Sequence, residues 1–107
     1  MSATTNDDSI SQVALAALEQ VIDPEIGLNI VDLGLIYQIN FEETDKKIYC
    51  TMTLTTHFCP MGESIVFSVQ EALQTAFPGY EILVHLTFDP PWSHERISEK
   101  GQAFLNQ

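Results

Sequence analysis

Cys59 is the residue of this chain with the widest chemical reach. It stands in the run Thr55-Thr56-His57-Phe58-Cys59-Pro60, just before a stretch that reads as a helix from Met61 or Gly62. A helix N-terminus lowers a thiol pKa by favouring the thiolate. Thr55 and Thr56 offer hydroxyls, and His57 can serve as a base or a metal ligand. Asp23 and Glu25, in the earlier run Asp23-Pro24-Glu25, can bind a cation, although their charge opposes a nearby thiolate. A plainer reading stays open: Cys59 is a small buried residue, Thr55 continues a strand and Asp23 caps a turn. His57 and Cys59 as an H-x-C pair fall short of a four-ligand zinc site. Cys50 falls on the packed face of a strand and reads as a core thiol. His85 reads as solvated, His94 as decoration of a helix start, and Trp92 as a cover over one end of the core. The sequence holds no glycine-rich phosphate loop, G-x-S-x-G elbow or C-x-x-C pair.

The elements that position these residues follow from periodicity. Ile10, Val13, Ala14, Ala17, Leu18 and Val21 recur at helical steps, with Ser9 and Gln12 fitting a capping box. Pro24 pushes Asp23 out of the helical region, so the spacing predicts a helix from Ser9 to about Ile22. Leu35, Tyr37, Ile39 and Phe41 alternate with polar or outward residues, as do Ile48, Cys50, Met52 and Leu54. The polar EETDKK between them makes a hairpin. Pairing Phe41 with Ile48 places Ile39 opposite Cys50, Tyr37 opposite Met52 and Leu35 opposite Leu54, with every apolar residue on one face. A second helix carries Ile65, Val66, Val69, Ala72, Leu73 and Ala76 and stops at Pro78-Gly79. A third strand spans Tyr80 to Phe88, and Ser93 or Ser98 can cap a C-terminal helix docked by Ile97, Phe104 and Leu105.

The expected architecture is α+β: a two-layer α/β domain in the order α-β-β-α-β-α, its helices packed on one face of a small mixed sheet. Residues 1–8 read as a disordered N-terminal tail and residues 9–107 as a single domain. The hairpin sets the entry to its first strand beside the exit from its second. A crossover through the second helix makes strands two and three parallel. Asp23-Pro24-Glu25, the Thr55 to Cys59 run and Asp89-Pro90-Pro91-Trp92 are therefore expected at one rim, a favoured place for ligands.

Composition narrows the partners. The chain has 107 residues, with 15 acidic against 4 basic side chains and a formal charge of -11. Nucleic-acid binding depends on Lys and Arg displacing counterions from phosphate, so DNA and RNA are excluded as expected partners. Anionic membrane surfaces are repelled by the same sign. The first eight residues are polar and acidic, unlike a secretory leader. Two cysteines make no disulfide framework, and the expected compartment is a reducing cytoplasm.

The blocks DPEIGLNIVDLGLIY, MTLTTHFCPM and FDPPWSHERIS, in this order, resemble the metal-sulfur cluster assembly domain of SufT and PaaD-like proteins. The eukaryotic cytosolic iron–sulfur assembly component belongs to the same family. Ile26 stands where that family commonly has leucine, and His57-Phe58 replaces a small or proline-containing pair. The resemblance implies a small domain in the maturation of iron–sulfur proteins, with Asp23, Glu25, Thr55, Thr56 and Cys59 as its functional loop residues. It implies a non-enzymatic accessory factor in cluster assembly or transfer to client proteins. The Cys59 thiolate would contact iron, sulfide or a partner's cluster transiently, with His57 a weaker ligand. Clusters need several thiolates, so no tightly bound cofactor is expected. A cluster bridged across a homodimer, or handed to a scaffold or client protein, is compatible with one well-placed cysteine. Two alternatives stand beside this reading. One is an enzyme with Cys59 as nucleophile, assisted by His57 and by Asp23 or Glu25. The other is a protein-interaction module in which the thiol takes no part.

Overall fold

The elements run β1 (Thr4–Thr5), α1 (Asp8–Leu18), β2 (Ile36–Glu42), β3 (Lys47–Met52), α2 (Gly62–Ala76), β4 (Glu81–Leu86) and α3 (Glu99–Leu105). A 3-10 turn at His94–Arg96 precedes α3. The computed structural model describes residues 4–5, 8–55 and 62–106. The expected α-β-β-α-β-α order is present, on a mixed sheet in which β2 and β3 are antiparallel and β3 and β4 parallel. At the edge of β2, Thr4 and Thr5 pair in parallel with Gln38 and Ile39. Two threonines carry no period, so sequence alone does not signal this strand.

Alternation decides which sheet face is packed. Ile39, Phe41, Ile48, Cys50, Met52 and Ile82 are buried, whereas Gln38, Asn40 and Tyr49 are exposed on the strands between them. Ala14 and Leu18 of α1 and Ile65, Val69 and Leu73 of α2 complete the core from the helical layer. Leu28, Ile30, Leu33 and Leu35, in the connection from α1 to β2, are also buried and extend the core sideways. Each such side chain contributes about 1.5–3 kcal/mol by leaving water.

Three sequence expectations are corrected. Helix α1 ends at Leu18 rather than Ile22. Beyond it, Ile22 bridges Asn29, and the Val21 carbonyl accepts from the Ile30 amide at 3.0 Å. The backbone partners offered by 28–30 outweigh a helical preference that β-branched Val21 and Ile22 hold only weakly. The hairpin register holds at Phe41–Ile48 and Ile39–Cys50 but not at Tyr37–Met52: Ile36 faces Met52 and Gln38 faces Thr51. Tyr37 is the extra residue of a β-bulge. The bulge turns Ile36 into the core and leaves Tyr37 half-buried on another course. Finally, Phe104 and Leu105 are largely exposed, and of the expected docking trio Ile97 alone is buried.

Tyr37 serves the C-terminal segment instead. Its hydroxyl donates to the Pro90 carbonyl at 2.7 Å, and the Arg96 guanidinium sits 4.4 Å over its ring. The indole Nε1–H of Trp92 donates to the Leu33 carbonyl at 2.6 Å. Asp32 receives the Ser98 hydroxyl at 2.8 Å and the Asn29 side-chain amide at 2.7 Å, and its own amide donates to Asn29 Oδ1. Ser98, the expected cap, also accepts from the Gly101 amide at 3.0 Å and so begins α3. Two of the sequence blocks, IVDLGLIY and DPPWSHERIS, are thus strapped to each other.

The strap is acid-sensitive. Burial works against the Asp32 charge, but hydrogen bonds from Asn29 and Ser98 and the nearby Lys100 ammonium outweigh it and hold the carboxyl below its ordinary value. Lys100 is 75% exposed, so its 3.5 Å ion pair adds little. A folded pKa below the unfolded one contributes stability that is present above about pH 4 and is lost as the pH falls through the folded value. Asp32→Asn is expected to cost about 1–3 kcal/mol at neutral pH, because an amide must meet three donors. Melting curves of the two proteins should converge below about pH 4. A constant gap down to about pH 3 would refute the role given to this carboxylate.

Candidate functional site

Strand ends determine what can meet at the rim. The Leu35 carbonyl, just before β2, accepts from the Thr53 amide just after β3 at 2.8 Å. Met52 faces Leu86 across β3 and β4, and its carbonyl accepts from the Thr87 amide at 2.9 Å. The entry to β2, the exit from β3 and the exit from β4 therefore share one end of the sheet. Thr55 lies there, half-buried in a bend, and Asp89-Pro90 leaves β4 from the same end. Thr56, His57 and Cys59 lie outside the described residues.

The two ends of the segment that holds them are in contact. Helix α2 begins at Gly62, and a Cβ built on Gly62 would stand 2.7 Å from Leu54 Cδ1. Glycine here lets the start of α2 close on Leu54 at the end of β3. Thr53 and Leu54 are buried, which anchors the outgoing end. The backbone amides of the first turn of α2 have no partner within the helix, and the helix dipole makes that end favourable to negative charge.

Asp23 has a structural occupation of its own. It is 2% exposed, and its Oδ1 accepts from the Glu25 amide at 2.9 Å. Its carbonyl accepts from the Gly27 and Ile26 amides, and its amide donates to the Leu28 carbonyl at 3.0 Å. This is an Asx turn that folds Asp23-Pro24-Glu25-Ile26-Gly27 back on itself, with Gly27 at φ +82° supplying the left-handed residue. The Glu25 side chain is exposed. Among the described residues no hydrogen bond joins this turn to Thr55, and no three His, Cys, Asp or Glu side chains stand close enough to hold a metal ion together.

The remaining candidates fall where the plainer readings put them. Cys50 is fully buried, and burial pushes its thiol up to about 12. A thiol so protonated is a poor nucleophile. Native-state alkylation followed by mass mapping should label Cys59 and leave Cys50 untouched until the protein unfolds. Equal labelling of the two would overturn this contrast. His85 is exposed on β4, and His94 lies in the 3-10 turn with its ring 5.1 Å from that of Trp92. Sequence reasoning missed the positioning set Asn29, Asp32, Gly34, Tyr37 and Arg96. The signal available was the Asn-x-x-Asp spacing followed by Leu-Gly, the mark of a side-chain-capped turn closed by a left-handed glycine.

Comparison with known proteins agrees with this architecture. Residues 11–84 match the sequence profile of the family described as iron-sulfur cluster assembly protein. The chain is 38% identical over 99 residues to the Fe-S protein maturation auxiliary factor YitW of Bacillus subtilis, covering 92% of this chain and 96% of that protein. It is 40% identical over 87 residues to the Fe-S protein maturation auxiliary factor SufT of Staphylococcus aureus, covering 79% and 96%. A crystal structure of a domain of unknown function, DUF59, from Bacillus anthracis superposes with a TM-score of 0.86 at 40% identity, over 92% of this chain and 93% of that one. The profile runs from within α1 into β4, spanning the Asx turn, the bulged hairpin and α2, and on that span the chain belongs to the iron-sulfur cluster assembly protein family.

Proposed function

We propose that this protein is an accessory factor that assists iron–sulfur cluster assembly or transfer to client proteins through Cys59, in the cytoplasm and without enzymatic turnover. The observation that supports the reading is the close approach of Leu54 to Gly62, which brings the exit of β3 to the first turn of α2. Two close relatives are maturation auxiliary factors for iron–sulfur proteins, which supports the accessory role. A thiolate three residues before a helix start is favoured by the dipole. It would make a transient bond to iron or to a cluster in transit. Thr55 and Thr56 would donate hydrogen bonds to the sulfurs and His57 would be a secondary ligand. Asp23 would hold its turn while the exposed Glu25 carboxylate faces the approaching partner. One cysteine cannot hold a cluster alone, so the thiolates that complete its coordination belong to the assembly scaffold, the client or a second copy.

Anaerobic purification with metal analysis and visible absorption, comparing wild type with Cys59→Ser, tests this. Iron taken up in the presence of a cluster donor should be present with wild type and absent with Cys59→Ser. Equal iron and equal absorption in both would overturn the thiol as the contact.

A further inference from the structure

Phe67 is 62% exposed in the middle of α2, and two concavities meet at it. The larger, about 440 Å³, runs between α2 and the end of β4 and is lined by Leu54, Val66, Phe67, Leu86 and Phe88. The other lies toward α1 beside Val21 and Ile22. Glu63 and Glu71 stand one turn before and one turn after Phe67, so the three side chains lie in one line on α2, and all are exposed.

Among the described residues, no Lys or Arg is recorded against that line. The four basic residues are Lys46, Lys47, Arg96 and Lys100, and neither α1 nor α2 contains one. Lys46 lies over the Tyr80 ring and Lys47 stands in register with Glu42 and Glu81. Arg96 covers Tyr37, and Lys100 faces Asp32. Glu63 lines the larger concavity and Glu71 the smaller, so the groove that the two form across Phe67 carries a carboxylate on either side and selects its occupant by charge as well as shape.

We propose that this groove docks a basic amphipathic helix of a partner protein, one that presents an apolar side chain flanked by Lys or Arg one turn to either side. A second copy of this chain does not fit. A two-fold contact at Phe67 would set these carboxylates against those of the second copy, in a molecule already carrying a charge of -11. An anionic vesicle is repelled for the same reason. Docking here would place the partner beside Leu54 and Gly62, next to the segment that holds Cys59. The docking surface nevertheless stands on different residues from the thiol chemistry.

The test titrates the isotope-labelled full chain with a synthetic helical peptide of roughly 18 residues that carries a Leu stripe flanked by Lys at helical spacing, and with its scrambled isomer. Amide shifts are expected at Leu54, Glu63, Val66, Phe67 and Leu86. Phe67→Ala, and separately Glu63→Lys with Glu71→Lys, should each weaken binding about ten-fold or more, while melting curves confirm that both variants remain folded. Cys59→Ser should bind as wild type does, so failure of the thiol reading and failure of this one are distinguishable. The proposal is overturned if the peptide does not bind, if the scrambled isomer binds as well, or if shifts gather at Glu42, Glu43 and Asp45. Binding that leaves the Val66 and Leu86 amides unmoved would overturn it as well. A wild-type dimer that Phe67→Ala dissociates would assign it to a second copy.

Discussion

If the proposed role holds, Cys59→Ser is expected to abolish support for iron–sulfur client enzymes while leaving the protein's own melting temperature nearly unchanged. The substitution exchanges one sulfur for oxygen and leaves the buried set of Ile39, Ile48, Met52 and Leu73 that holds the fold unchanged. A hydroxyl titrates far above a thiol and is a poor ligand for soft iron, so the chemistry is removed while the size of the side chain is nearly kept. Cys50→Ser should do the reverse. It puts a hydroxyl among Ile39, Ile48 and Met52, all buried, and costs about 1–3 kcal/mol if unpaired. Client activity should survive in whatever Cys50→Ser protein remains folded. Client-enzyme activity and melting temperature of the two variants, in cells that depend on this factor, give four numbers. Full client activity with Cys59→Ser at normal protein levels would falsify the thiol mechanism and leave the interaction surface as the functional feature.

Gly34→Ala should be the most damaging single-methyl change in the described chain. Gly34 has φ +77°, a conformation that L side chains seldom adopt. A Cβ there would drive into the Arg96 carbonyl oxygen and stand 2.7 Å from Arg96 Cβ and 2.8 Å from its carbonyl carbon. Backbone cannot swing aside as a side-chain tip can. The Arg96 backbone is held by the Ser93 carbonyl, and two residues later the Ser98 amide bonds the Asp32 carbonyl at 2.8 Å. Left-handed strain and overpacking together should cost roughly 3 kcal/mol or more, lowering the melting temperature by about 10–20 °C. The loss should appear first as exposure of the 90–105 segment. Faster hydrogen exchange at Ile97 and Gly101 than at Ile48 and Cys50 would register it. Gly27→Ala offers the contrast: a similar φ of +82° but no atom within 4 Å of the new Cβ. It should show the conformational penalty alone, about 1 kcal/mol. Equal effects at the two glycines would show that close approach to Arg96 is unimportant.

Where local chemistry and tertiary need pointed the same way, the elements could be read from the residues. Period-two alternation located β2 and β3, and the 3.6-residue stripe of Ile65, Val69 and Leu73 located α2. Pro78-Gly79 marked the end of that helix within two residues of Ala76. Phe41–Ile48 and Ile39–Cys50 came from the same alternation, because a one-residue slip would have turned the whole apolar set to solvent. Cys50 could be assigned to the core for that reason, and its raised pKa follows from the same burial.

The rest was decided at a distance. Nothing adjacent to Tyr37 says that it leaves the alternation. It bulges because its hydroxyl meets Pro90 and its ring meets Arg96, 53 residues on in the first case. Val21 and Ile22 carry on the helical stripe of α1, yet they take extended backbone partners from Asn29 and Ile30. Asp23 has the composition of a cation ligand, and the folded chain uses its carboxylate to receive the Glu25 amide. Sequence alone determined that one apolar face would be buried by two helices and that Thr55 and the exits of β3 and β4 would share a rim, because period and connectivity are local properties. Only the tertiary structure decided which polar groups are spent on holding the strap and the turn, because a side chain's partner is set by what the fold brings within 3 Å of it.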